Sequence, residues 1–265
     1  MLHMSIITPG SDLTLAPTIR PWVTQGRLSI KQSLTQLAKF KFHAVQLDAT
    51  LSGIRPRDLD QRSRKDLLAV LTRSSMRLAG LDCFIPRKDF ISTENVDRAM
   101  TAALATIELA ADLGRVSVSL ALPVRDLDND VKAALLTAAD SQGVRLAVHA
   151  EDQMDAQLAW IDEVSQPILG MSMDPASLIA SDDDPVTLTQ KHGDHLTVGR
   201  LSDYRKDANV RCAVGEGSLD VMSYRLMLDM AKGRRGPVVL DLRSLEYPQQ
   251  AAVDGAKAWD DALAL

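Results

Sequence analysis

Gly143-Val-Arg-Leu-Ala-Val-His149 and Ile168-Leu-Gly-Met-Ser-Met-Asp174-Pro-Ala-Ser177 decide the fold of this 265-residue chain. Each holds a short apolar run, Val144–Val148 or Ile168–Met173, that stops on a side chain able to bind metal or move a proton. Between them Asp152–Ser165 reads as a helix. Strand, helix and strand in that order form the repeating unit of a parallel α/β fold.

The unit recurs on both sides. Strands are predicted at Leu13–Ala16, Ala44–Leu47 (ending on Asp48), Leu78–Leu81 (ending on Asp82 and Cys83) and Val116–Leu120. Further strands fall at Leu196–Leu201 and Val238–Leu242, the last containing Asp241. Helical spacing places Ile30, Leu34, Leu37 and Ala38 on one helix, and Ser63–Arg73 on the next. The longest helix carries Val96, Met100, Leu104, Ile107 and Ala111 and closes at Gly114; another, with Val131, Leu135 and Ala138, stops at Gly143. A short helix near Val186–Gln190, one with Leu219, Met222, Leu226 and Met230, and a last one over Gln249–Leu263 complete the set. Eight strand–helix units in about 250 residues give a single-domain α/β protein, a closed (β/α)8 TIM barrel. An open doubly wound sheet lacks its Gly-x-Gly-x-x-Gly turn here. Residues 1–10 are expected to be an N-terminal tail and 11–265 the barrel.

Composition narrows the function classes. A net charge of -5 argues against a nucleic-acid binder. No apolar run reaches the ~20 residues of a membrane span, and the start lacks a signal-peptide pattern. Two cysteines, Cys83 and Cys212, make no disulfide framework and point to a reducing, cytoplasmic setting.

Several local patterns, taken in order, resemble the xylose isomerase-like TIM barrels, the sugar isomerase/epimerase superfamily. They are Thr106-Ile-Glu-Leu-Ala-Ala-Asp-Leu-Gly114, Gly143–His149, Met173–Ser177, Leu196–Asp203 with Gly215-Glu-Gly-Ser-Leu-Asp220, and Gly236-Pro-Val-Val-Leu-Asp241. The resemblance implies a sugar or polyol isomerase or epimerase, or a related dehydratase, that moves a proton beside a carbonyl. It also implies a divalent cation (Mn2+, Co2+, Zn2+ or Mg2+) held by Glu, Asp, His and Glu from strands five to eight. Those places fall here on His149, Asp174, Arg200 and Asp241, of which only Asp174 matches outright; the His usual three residues after it is Ser177. A metal-free site is therefore the alternative to a metal held by His149, Asp174 and Asp241.

On this reading the catalytic candidates are Asp174, Asp241, His149, Arg200 and Glu151, and the substrate-binding candidates Asp48, Arg211, Ser177 and Arg243. A permanently charged guanidinium cannot ligate a cation, so Arg200 is expected to pair with Asp174 or Asp241. Asp48 reads equally as a helix cap or rim salt bridge, and Glu151 equally as the start of a helix. Gly215-Glu216-Gly217 either brings amides to a ligand or is a plain turn. Cys83 reads as a packed thiol. The partner is expected to be a small sugar or polyol, anionic if the arginines at this end (Arg20, Arg87, Arg125, Arg200, Arg211, Arg243) engage it; a homo-oligomer stays open. A catalytically inactive barrel that serves as a sugar-, small-molecule- or partner-binding protein is the competing class. An endonuclease-IV-like enzyme would need several active-face histidines, and only His149 lies there.

Overall fold

The computed structural model describes residues 12–262; the tail expected at 1–10 lies outside them. Eight parallel strands run in sequence order around a barrel: β1 Leu15–Pro17, β2 Ala44–Asp48, β3 Arg77–Cys83, β4 Ser117–Ala121, β5 Leu146–His149, β6 Leu169–Met173, β7 Leu196–Leu201 and β10 Val238–Leu240. Between the last two lies an antiparallel hairpin, β8 Asp203–Arg205 with β9 Val210–Cys212. β10 pairs with β1, and the ring closes where Thr18 bridges Gln46 and the Ile19 N–H donates to the Gln46 carbonyl at 3.0 Å.

Alternation along the strands sorts their side chains. Ala147, Val198 and Val239 form a small apolar cluster apart from the main core, which places them inside the barrel. Residues two further on share that inward face, so His149, Arg200 and Asp241 crown the apolar plug. Their neighbours Leu146, Val148, Leu201 and Leu240 belong to the core between strands and helices. A charged mouth above the three apolar side chains Ala147, Val198 and Val239 follows directly from the spacing of two.

The helices start and stop where local chemistry allows. Ser29 and Gln32 form a capping box that opens the helix Ile30–Lys39. The helix Asn129–Gln142 ends on Gly143, whose φ of 63° is the left-handed conformation glycine adopts without strain. Two expected apolar stripes are rotated. In the long helix Val96–Asp112 the buried residues are Ala99, Ala103, Thr106, Ile107, Leu109 and Ala110, most of them small enough to let it approach the barrel closely. Met100 and Leu104 instead pack partly buried beside it. In Val221–Met230 the expected residues Met222, Leu226 and Met230 are exposed, while Tyr224, Arg225 and Leu228 are buried. The polar pair can go inside because both find partners: Tyr224 donates to the Arg200 carbonyl at 2.8 Å, and Arg225 lies 4.6 Å over the Trp259 ring. The first strand starts two residues later than expected, and the last ends at Leu240, which leaves Asp241 just beyond it. No helix among the described residues is long and apolar enough to cross a membrane.

Candidate active site

The C-terminal ends of β3, β5, β6, β7 and β10 bring Asp82, His149, Asp174, Arg200 and Asp241 to one end of the barrel, all buried and Arg200 completely so. The Arg200 guanidinium lies between two carboxylates: Nη1 donates to Asp241 at 2.8 Å and Nη2 to Asp82. Arg243 donates from Nε to Asp241 at 2.8 Å and from Nη2 to Asp174 at 3.2 Å. Arg211 reaches in from β9 with Nη1 2.6 Å from Asp174. The hydroxyls of Ser177 and Ser202 donate to the two oxygens of Asp174, at 3.0 and 2.5 Å. Acids and bases thus alternate: Asp82, Arg200, Asp241, Arg243, Asp174, Arg211. Arg200 pairs with Asp241, one of the two aspartates expected, and with Asp82, which was not.

This lattice fixes the charges of its members. Burial pushes Asp174 up, but Arg211 and Arg243 outweigh it and leave the carboxyl below the usual range. Burial likewise raises Asp241, and Arg243, Arg200 and Arg211 together bring it well below that range. Asp82 ends above its ordinary value, because burial there exceeds the attraction of Arg200. Burial weakens the protonated form of Arg243, yet Asp241 more than reverses this and the guanidinium is held charged.

Beside the lattice stands a second group. His149 Nδ1 is 2.9 Å from Glu151 Oε1, which also accepts the Asp174 N–H at 3.0 Å. An oxygen already accepting from an amide accepts from the imidazole too, so the neutral ring carries its proton on Nδ1 and its lone pair on Nε2. Nε2 is buried and has no hydrogen-bond partner among the described residues. Phe84 packs edge-on to this ring at 5.4 Å, and its face lies 4.4 Å under the Arg243 guanidinium. A cavity of about 290 Å3 opens between Phe84, Arg87, His149, Glu151, Ser177 and Arg243. Of the guanidinium groups here, Arg243 and Arg87 line it, whereas Arg200 is sealed beneath.

Other candidates sit apart. Asp48 accepts from Arg20 and from the Thr50 N–H at 2.7 Å, a rim arrangement that does not join the lattice. The Gly215-Glu216-Gly217 loop is a built turn: buried Asp203 accepts the N–H groups of Gly215, Gly217 and Leu219 at 3.0, 3.0 and 2.9 Å. Those amides are therefore not presented to a ligand. A Cβ on Gly217 would lie 2.3 Å from Asp203 Oδ1, so only glycine fits. Burial pushes the Cys83 thiol up to about 12, as befits a packed thiol.

The donor set does not fit a divalent cation. Every carboxylate of the lattice is bound by at least one guanidinium, and among the described residues no cluster of three or more His, Cys, Asp or Glu side chains could hold a metal. A cation there would face three arginines at contact range.

Xylose isomerase-like TIM barrels, as a family, match residues 34–264. The chain belongs to this family. No functionally curated protein matches it. Among solved structures, the barrel is similar to a D-tagatose 3-epimerase-like protein (TM-score 0.75, 13% identity, 95% of this chain and 97% of the other). It is also similar to the IOLI protein with a bound zinc atom (TM-score 0.73, 16% identity, 95% and 98%) and to an L-ribulose 3-epimerase (TM-score 0.72, 16% identity, 95% and 96%). At these identities the likeness is one of fold.

Sequence reasoning missed Asp82, Phe84, Ser202 and Asp203 as parts of this end of the barrel, whereas Arg87 lies at the cavity as expected. Asp82 carried a signal, since it ends its strand as Asp174 ends β6. Phe84 had none, because a loop residue gains its position from the loop's path rather than from periodicity.

Proposed function

We propose that this barrel is a sugar or polyol isomerase or epimerase whose site is organised by arginines in place of a metal. The observation that carries the reading is the Glu151–His149 pair beside the Arg243-lined cavity. A neutral imidazole with an unpartnered Nε2 lone pair is a competent base toward a carbon-bound proton next to a carbonyl. Arg243, permanently charged and partly exposed, supplies the positive charge that steadies the enediolate oxygen. The proton then passes from Nε2 to the neighbouring carbon, or, for epimerisation, a donor on the opposite face protonates the carbon that lost it. Asp174 and Asp241 are poorer bases, since their guanidinium partners hold them ionised and weakly basic. Their role on this reading is to fix Arg243 and Arg211. Arg200 positions Asp241 from beneath.

A neutral polyol suits the cavity better than an anion. Arg87, Arg200, Arg211 and Arg243 each already face a carboxylate, so no guanidinium in the lattice lacks a counter-charge. The relationship to the epimerases supports the substrate class, while the proton-transfer assignment rests on the pair alone. The protein would be incubated in D2O with pentuloses, hexuloses and inososes, and deuterium beside the carbonyl read by NMR. Exchange that disappears in His149→Gln and falls in Glu151→Gln supports the proposal. Saturable binding without any exchange would establish the second reading, a binding barrel without turnover, which the fully neutralised lattice favours. Neither binding nor exchange across the panel would reject both.

A further inference from the structure

The opposite end of the barrel carries a separate concave surface of about 530 Å3, bounded by the starts of β5, β6 and β7 and by the turn that precedes β10. Arg145 lies in it, half-buried. Its Nε donates to the Pro167 carbonyl at 2.7 Å and its Nη1 to the Gly233 carbonyl at 3.4 Å. Arg235 stands on the same surface, its Nη1 held by the carbonyls of Lys232 and Arg234 at 2.7 and 3.0 Å. The Lys232 side chain is exposed at the rim. None of these three cations has a carboxylate partner among the described residues. The acids on the surface are Asp162, which lies 3.7 Å from His195, and Asp194.

That arrangement is unusual. A partly buried guanidinium is ordinarily paired. Here burial first, and the charge of Arg235 second, disfavour the protonated form of Arg145. Backbone carbonyls orient both forks without neutralising them. Nη2 of Arg145, and Nε and Nη2 of Arg235, have no acceptor among the described residues. The two forks are thus pre-positioned, close enough to repel each other, and still hold free donors.

We propose that this groove at the N-terminal end of the strands binds a phosphate monoester, gripped by Arg145 and Arg235 and closed over by Lys232. A phosphoryl group offers three acceptor oxygens and nearly two negative charges, enough to serve two forks at once. A single carboxylate carries one negative charge and would leave the second cation without a counter-charge. The volume exceeds that of a bare phosphate, and Ile161 and Leu169 provide an apolar wall for the organic part. The site is independent of the proposed chemistry at the other end.

Titration calorimetry of the full-length protein at low ionic strength would compare inorganic phosphate, a hexose monophosphate and the same hexose without phosphate. The monoester should bind more tightly than phosphate. Lys232→Gln and Arg235→Gln, at exposed positions, should each weaken monoester binding about tenfold, the worth of a hydrogen bond to a charged group. Asp194→Asn should strengthen it, and Glu151→Gln at the other end should leave it unchanged. The proposal is overturned if no monoester binds at millimolar concentration or if the Lys232 and Arg235 variants bind as the wild type does. Loss of binding in Glu151→Gln alone would overturn it too, by placing the ligand in the other cavity.

Discussion

Replacing Arg200 by methionine keeps much of its volume and removes its charge, which leaves two buried aspartates with unequal support. Asp241 keeps Arg243 at 2.5 Å and Arg211 at 3.5 Å. Asp82 keeps, among the described residues, the Gln46 amide 2.9 Å away and the weaker pull of Arg243. Breaking a buried ion pair by removing one partner costs about 3–5 kcal/mol, since the remaining charge is uncompensated. For a chain of this size that corresponds to a fall in Tm of roughly 6–20 °C. Because the stranded charge is that of Asp82, Arg200→Met/Asp82→Asn should recover most of the loss. Arg200→Met/Asp241→Asn should not, since it strips Arg243 of its main partner. The pH dependence follows the same logic. Asp82 already sits above its ordinary value through burial, and losing Arg200 raises it further. A carboxyl raised in the folded state binds its proton more tightly there, so lowering the pH towards that raised value stabilises the fold. The deficit of the single variant should therefore shrink as pH falls from 7 towards 5. Urea denaturation followed by circular dichroism, across the four proteins, measures each quantity. A single-variant cost under about 1 kcal/mol, or rescue by Asp241→Asn rather than Asp82→Asn, would refute this account of the lattice.

Asp174 and Asp241 are depressed in the folded state, so their stabilisation is complete above the ordinary carboxylate range and is lost as pH falls below about 4. Urea titrations from pH 5 to 2 should show a steep loss that Asp174→Asn flattens. Zinc or manganese should not co-purify stoichiometrically, and Arg200→His alone should not change this, because Arg243 and Arg211 still occupy the carboxylates; elemental analysis of protein prepared without chelators checks both. Gly217→Ala drives a methyl into Asp203 and should cost about 1–3 kcal/mol. It should also loosen the hairpin that carries Arg211, seen as a lower urea midpoint together with weaker ligand binding.

The order of eight strands and the ends of most of them could be read from sequence, because buried parallel strands leave short apolar runs and caps leave Ser29, Gly143 and their like. Asp174, His149, Arg200 and Asp241 were legible for the same reason: each ends or nearly ends a run, and alternation by two fixes the face it shares. What those residues do to one another was not legible. Whether Arg200 meets Asp174 or Asp82 depends on which strands lie across the barrel, and Asp82 is separated from it by 118 positions. Arg211 joins only because residues 203–212 fold back as a hairpin, and Arg87 and Phe84 only because of a loop's path. The helix Val221–Met230 shows the same limit from the other side. Its apolar spacing points at one face, but the partners offered to Tyr224 and Arg225 by the assembled barrel turn another face inward. Periodicity reports where a side chain lies on its own element; the charge, pairing and availability of that side chain are properties of the elements packed around it.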